Sequence, residues 1–174
     1  MPNIVPEKLT KCEVYADNNR LLGIADGTFP SLEFITNEIK GSGLVGTIDS
    51  PGGGGFGSIT VTLNWRVTQP EFMSLAEMRG HVLDLYSQHL YMDAGQGEYV
   101  SSQFHIFLKA FTKKLEFGEM VNFDAQGAST EHEVYYLKMS IDGKEIIEID
   151  KYSYIYKVNG TDYLEEMRHA LAIN

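Results

Sequence analysis

The sequence predicts a mainly β fold with two short helices, and three observations carry that prediction. Ile59, Val61, Leu63, Trp65 and Val67 alternate with Ser58, Thr60, Thr62, Asn64 and Arg66, the period of a strand with one wall on a core and the other in water. The segments EHEVYYLKMSI and KEIIEI meet at Asp142 and Gly143, a pair that tolerates positive φ and is a strong hairpin signal. Clear helical spacing of apolar residues occurs in two short stretches, TQPEFMSLAEMRG and TDYLEEMRHALAI.

In chain order, CEVYA and LLGIADG flank the polar turn DNNR and predict a β-hairpin. FPSLEFITNEI follows as an extended segment. From Gly41 to Gly57 the chain reads GSGLVGTIDSPGGGGFG, where the entropy that glycine loses on ordering argues for a long, mobile loop or arm. After the alternating strand, Pro70 suits a first helical turn, Phe72, Leu75 and Ala76 share a face, and Gly80 can end the helix. HVLDLYSQHLYMDAGQG fits a helix at Val82, Leu85, Tyr86 and His89, but its apolar and aromatic content favours a strand ending at the glycines. In SSQFHIFLKAFTKK, Phe104, Ile106, Leu108 and Ala110 alternate with polar neighbours, and Phe107 and Phe111 suggest partial cover on the second face. YSYIYKV adds a strand. In the last helix Asp162 can cap with Glu165 three residues on, while Leu164, Met167 and Leu171 share a face.

With 174 residues and 43% hydrophobic content the chain can bury one core, so a single domain over 1–174 is expected. The 14 basic against 24 acidic side chains give a net charge of −10, the wrong sign for gripping nucleic acid or an anionic membrane. The start, MPNIVPEKLTKCEV, lacks the apolar run of a signal peptide, and no segment approaches the roughly 20 apolar residues of a membrane span, so a soluble protein made in the cytosol is expected. Cys12 is the single cysteine, which excludes an internal disulfide and a thiolate zinc cluster within one chain.

The motifs that would carry chemistry fail on their own requirements. The run SPGGGGFG has no Lys after its last glycine and opens a strand, whereas a phosphate cradle needs Lys, then Ser or Thr, at a helix N-terminus. A dinucleotide fingerprint must likewise open a helix. His132 and Glu133 begin a zincin pattern, but position 136 is Tyr136; the five histidines are otherwise scattered over different elements. DNNRLLG places leucines where a calcium loop needs a ligand and a glycine. Glu145 faces away from Glu148 and Asp150 on a strand, so no acid/base pair follows from spacing. Asn159-Gly160-Thr161 reads as a turn rather than a glycosylation site. No nucleophile has a base beside it, so neither an enzyme nor a metal or cofactor is expected.

The stretch MSIDGKEIIEIDKYSYIYKVNGTDYLEEMRHAL resembles the end of the major tail tube proteins of contractile-tailed bacteriophages and R-type bacteriocins, in DGKEIIEID, then KVNGTD, then a helix beginning LEEMR. The resemblance implies a β-sandwich or barrel-like subunit, six to a ring, whose sheets join into one continuous β-barrel around the lumen of a stacked tube. It implies a particle assembled in the bacterial cytoplasm, with the tail sheath, baseplate tube proteins, tape-measure protein and tail terminator as partners. DNA in a phage, or ions in a bacteriocin, would pass without specific binding, through a lumen expected to be net negative. On this reading Gly41, Gly43, Pro51, Gly52, Gly53, Gly54, Gly55 and Phe56 belong to a loop that reaches a neighbouring subunit or ring, and Thr60, Thr62 and Asn64 are lumen-facing candidates. The alternatives are a type VI secretion tube protein and, from another class, a monomeric β-barrel that binds a small molecule in an enclosed apolar pocket.

Overall fold

The computed structural model describes residues 4–17, 20–41, 43–68, 70–120 and 122–173. In the expected DNNR turn, Asn18 and Asn19 lie outside the described residues, but the flanking strands pair as predicted. β1 (Ile4–Ala16) runs antiparallel to β2 (Arg20–Thr28), with Glu13 opposite Ile24 and Ala16 opposite Arg20. The hairpin β3 (Asn37–Ile39) and β4 (Ile48–Ser50) stands apart as a two-stranded sheet.

β5 (Thr60–Trp65) lies between β2 and β8 (Ala128–Ile141), and β6 (Gly80–Asp93) between β1 and β7 (Glu98–Glu116). Because β7 also pairs with β8, the ladders run in a cycle through β5, β2, β1, β6, β7 and β8, a barrel-like arrangement. The distal half of β8 carries β9 (Lys144–Asp150), β10 (Ile155–Val158) and β11 (Thr161–Asp162) as a wing. The alternation read from the sequence fills the interior with Val61, Leu63 and Trp65 from β5 and Ile106, Leu108 and Ala110 from β7, and Leu83 and Leu85 of β6 are buried with them; Val67, expected on the same face as Trp65, lies past the end of β5 and is exposed. Each large side chain buried this way contributes about 1.5–3 kcal/mol.

The two helices are present but shorter than their patterns predict. Pro70–Ala76 is a 3-10 helix that buries Phe72 and Leu75 over the Trp65 end of the barrel. Gly80 starts β6 instead of ending that helix, and a Cβ there would lie 2.8 Å from the Tyr135 hydroxyl. The helix α1 (Glu165–Ala170) takes Leu164 as its N-cap. Asp162 sits earlier, in β11, where its carboxylate accepts the Leu164 N–H at 3.0 Å and pairs with Arg168 at 2.7 Å. It anchors the helix across one turn rather than capping it.

Three strands outrun the barrel. β1 reaches back to Ile4, eight residues ahead of the predicted start at Cys12, because β6 offers it a ladder as far as Asp93. β6 and β7 continue as a hairpin to the pair Asp93 and Glu98. The result is a three-stranded blade, residues 4–12, 87–93 and 98–103, projecting past the point where β8 turns at Asp142.

Candidate assembly surfaces

The glycine run is divided in two by its contacts. Ile35 N–H donates to Gly55 O and Gly57 N–H to Glu33 O, both at 2.9 Å, and Phe34 bridges Phe56, so the two chain passages form a neck. The Phe56 ring packs on Phe34 and Tyr156 at centroid distances of 5.1 and 5.0 Å. Gly54 has φ +63°, and a Cβ on it would lie 2.4 Å from Leu164 Cδ2. Gly55 lies against Ile35. These glycines permit close packing between the neck and the wing. Pro51, Gly52 and Gly53 are exposed, as are Gly41 and Gly43, the latter at φ +117°. The span expected as one loop thus contains β4 and ends in a packed neck. Beyond the neck the arm presents Ile39, Leu44, Val45 and Ile48 to solvent.

The blade is a second surface, and sequence reasoning did not name it. On β1, residues 4–12 pair with β6 alone, since the β2 ladder begins at Glu13. On β7, residues 98–103 pair with β6 alone, since the β8 ladder begins at Phe104. The β8–β9 turn closes that second edge at Gln103, whose N–H donates to Asp142 Oδ1 at 2.7 Å and whose carbonyl accepts the Asp142 N–H at 2.9 Å. Ile4, Val5, Leu9, Tyr99 and Val100 remain exposed along the two open edges. The signal that could have revealed them is length: apolar residues continue past Ser87 and before Phe104, farther than a barrel wall requires.

Thr60, Thr62 and Asn64 share the outer face of β5, with the two threonines half-buried and Asn64 exposed. The register sets Asp26 beside Asn64, and Glu131 and Glu133 beside Thr62 and Thr60. Burial works against the Glu133 charge, yet hydrogen bonds from Ser58 and Lys151, the Lys151 charge and the Ile59 N–H hold its carboxyl below the usual range. Lys113 pairs with Glu131 at 3.2 Å on the same face.

The barrel interior is filled by side chains. A cleft of about 310 Å³ opens between β1 and β2, lined by Leu9, Cys12, Asp26, Phe29, Leu63 and Leu85. Burial, then the charges of Asp26 and Glu13, push the Cys12 thiol above its ordinary pKa, which suppresses the thiolate. Among the described residues, no three His, Cys, Asp or Glu side chains are grouped to hold a metal ion, and no helix is long and apolar enough to cross a membrane.

The subunit is thus a barrel-like body with an open-edged blade and a projecting arm. The model of the phage tail tube protein FII family matches residues 6–171, and the chain belongs to that family, a class of structural virion components. It is 25% identical to the tail tube protein of Escherichia phage P2, over 178 aligned residues covering 97% of this chain and 99% of that one. The match spans the arm, the blade and the wing, so the resemblance seen in residues 139–171 extends along nearly the whole chain.

Proposed function

We propose that this tail tube subunit forms hexameric rings that stack into the inner tube of a contractile tail. The observation that carries the reading is the blade, whose two open edges belong to one sheet. Copies placed edge to edge would satisfy the unpaired backbone groups and cover Ile4, Val5, Leu9, Tyr99 and Val100. The lumen is the conduit for DNA in a phage particle, or for ions in a headless bacteriocin, and the net charge of −10 keeps a phosphate backbone from sticking to its wall. Thr60, Thr62 and Asn64 are proposed to face that lumen, beside Asp26, Glu131 and Glu133. The arm bearing Gly41, Gly43 and Pro51 to Phe56 is proposed to reach the adjacent subunit or ring. Sheath, baseplate tube proteins, tape-measure protein and tail terminator are the proposed partners, with assembly in the host cytoplasm. Family membership favours this reading over a type VI secretion tube.

The test is negative-stain electron microscopy across a concentration series, with light scattering on the same samples and with added tail-initiation complex. Rings or hollow tubes are expected. A strict monomer at every concentration, with the initiation complex present, overturns the proposal.

A further inference from the structure

The Trp65 end of the barrel holds a polar chain that the assembly surfaces do not use. Trp65 Nε1 donates to Thr130 Oγ1 at 3.0 Å, and Thr130 Oγ1 lies 2.9 Å from His132 Nε2. His132 Nδ1 lies 3.3 Å from Thr112 Oγ1. Trp65, Thr130 and His132 are all buried, so the hydrogens must be shared among the partners present. The Thr130 hydroxyl, with one lone pair taken by the indole, gives its hydrogen to His132 Nε2. His132 then carries its own proton on Nδ1 and donates it to Thr112. The indole N–H, the Thr130 hydroxyl and the His132 Nδ1–H each have an acceptor, and the order runs one way. A second proton on His132 breaks that order, because Nε2–H must then donate to Thr130, whose own hydrogen is left without an acceptor in a dry core.

The groups facing His132 come from several elements. They are Thr130 on its own strand, which links it to Trp65 of β5, Thr112 of β7, and the fully buried His81 of β6. Glu131 and Glu133 flank it in sequence but alternate to the outer face of β8. His81 Nε2 contacts Glu77 O at 3.1 Å, while its Nδ1 has no hydrogen-bond partner and lies 3.6 Å from Asp17 Oδ2. Asp17 is engaged by Arg79 at 2.5 Å and by the Val82 N–H at 3.1 Å. Burial, with His81 adding to it, depresses the basicity of His132 to a pKa of about 4.

The same chain supports the cap. The Phe72 ring of the 3-10 helix stands edge-on to Trp65 at 5.9 Å and meets Phe117 at 6.4 Å, and the connection to β6 is tied by the His81 contact to Glu77 O. We propose that protonation of His132 is an acid trigger that detaches the cap Pro70–Ala76 from Trp65 and opens this end of the barrel, while the ladders at the blade end stay paired. Trp65 and Thr130 form the hydrogen-bonded route from the imidazolium to the cap, and half-buried Thr112 forms a second, shorter one on the β7 side.

Trp65 is the single tryptophan of the chain and reports on the cap directly. The experiment follows its fluorescence, and hydrogen exchange by mass spectrometry, from pH 7.5 to 3.5 in the wild type, His132→Gln and His81→Gln. Glutamine at 132 can accept from Thr130 and donate to Thr112 without titrating. In the wild type, residues 66–79 are expected to gain exchange with a midpoint between about pH 4 and 5, before residues 98–109 and 134–150 do. In His132→Gln that midpoint should fall by at least one pH unit or vanish, and in His81→Gln it should rise. Simultaneous exposure of all segments, or an unchanged midpoint in His132→Gln, overturns the proposal. Should His132→Gln not fold, the His132 imidazole titration in the wild type by NMR decides: protonation coincident with the Trp65 change supports the trigger, and protonation near pH 6.5 with Trp65 unmoved refutes it.

Discussion

Replacing Gly54 with alanine tests whether the glycine run is a fastener rather than a tether. Two costs follow from the geometry. At φ +63° an L side chain is strained by about 1–2 kcal/mol. The new Cβ would also lie 2.4 Å from Leu164 Cδ2, so Leu164, only 7% exposed, must shift and lose part of the roughly 1.5–3 kcal/mol its burial provides. The expected loss is about 2–4 kcal/mol, read as a lower urea midpoint and as faster hydrogen exchange over residues 33–57 and 162–171. Gly53→Ala is the control, since its Cβ meets nothing within 4 Å, and it should stay within about 0.5 kcal/mol of wild type. Leu164→Ala added to Gly54→Ala should recover the steric part and leave the backbone part, a coupling that a double-mutant cycle isolates. If Gly54→Ala and Gly53→Ala are indistinguishable in both assays, the packed neck is the wrong account of this run.

Further outcomes are expected. His132 has its pKa depressed from about 6.5 to about 4, so the folded state binds fewer protons than the unfolded one between those values. Its contribution of about 3 kcal/mol is present above pH 6.5 and is lost as pH falls toward 4, measurable as a declining urea midpoint over that window. Thr130→Val strands the buried Trp65 N–H and a His132 nitrogen and should cost about 2–4 kcal/mol by thermal or urea unfolding. Gly118→Ala, at φ +75° with a Cβ 2.0 Å from Gln126 O, should destabilise by more than about 3 kcal/mol or fail to express, since backbone cannot step aside. Val5→Lys and Tyr99→Lys place charge on the open blade edges, where Val5 is 46% and Tyr99 61% exposed. The subunit should unfold within about 2 °C of wild type while the concentration needed for assembly, followed by light scattering, rises at least about tenfold.

Much of the barrel was legible because its walls obey period two. Ile106, Leu108 and Ala110 could be assigned to the core from alternation alone, and Asp142 and Gly143 do form the β8–β9 turn, at φ +49° and +77°. What escaped depends on partners distant in sequence. The segment around Pro6, Lys8 and Lys11 lacks a strand pattern of its own and becomes one because β6 supplies a ladder. The glycine run reads as slack in one dimension, since the Leu164 side chain that makes Gly54 necessary lies more than a hundred residues away. Asp162 looked like a helix cap from its spacing to Glu165, but the Arg168 pair and the Leu164 N–H explain its place better. The surface candidates were only partly accessible: alternation separates Thr60, Thr62 and Asn64 from the core, yet it does not say which outer wall meets a neighbour.

The length of β7 has a mechanical consequence. At about 3.4 Å per residue its 19 residues span about 65 Å, from the blade tip to the Phe117 end, with two register irregularities against β8, at Lys109/Ala110 and Thr112/Lys114. A push on the blade therefore travels to the opposite end of the subunit through one unbroken backbone. To yield, the strand would have to slide past β6 and β8 with many hydrogen bonds loaded in shear together, which resists far more than peeling them singly. Flexing of any larger object built from such subunits would then fall on the joints between copies, and each copy would behave as a stiff strut.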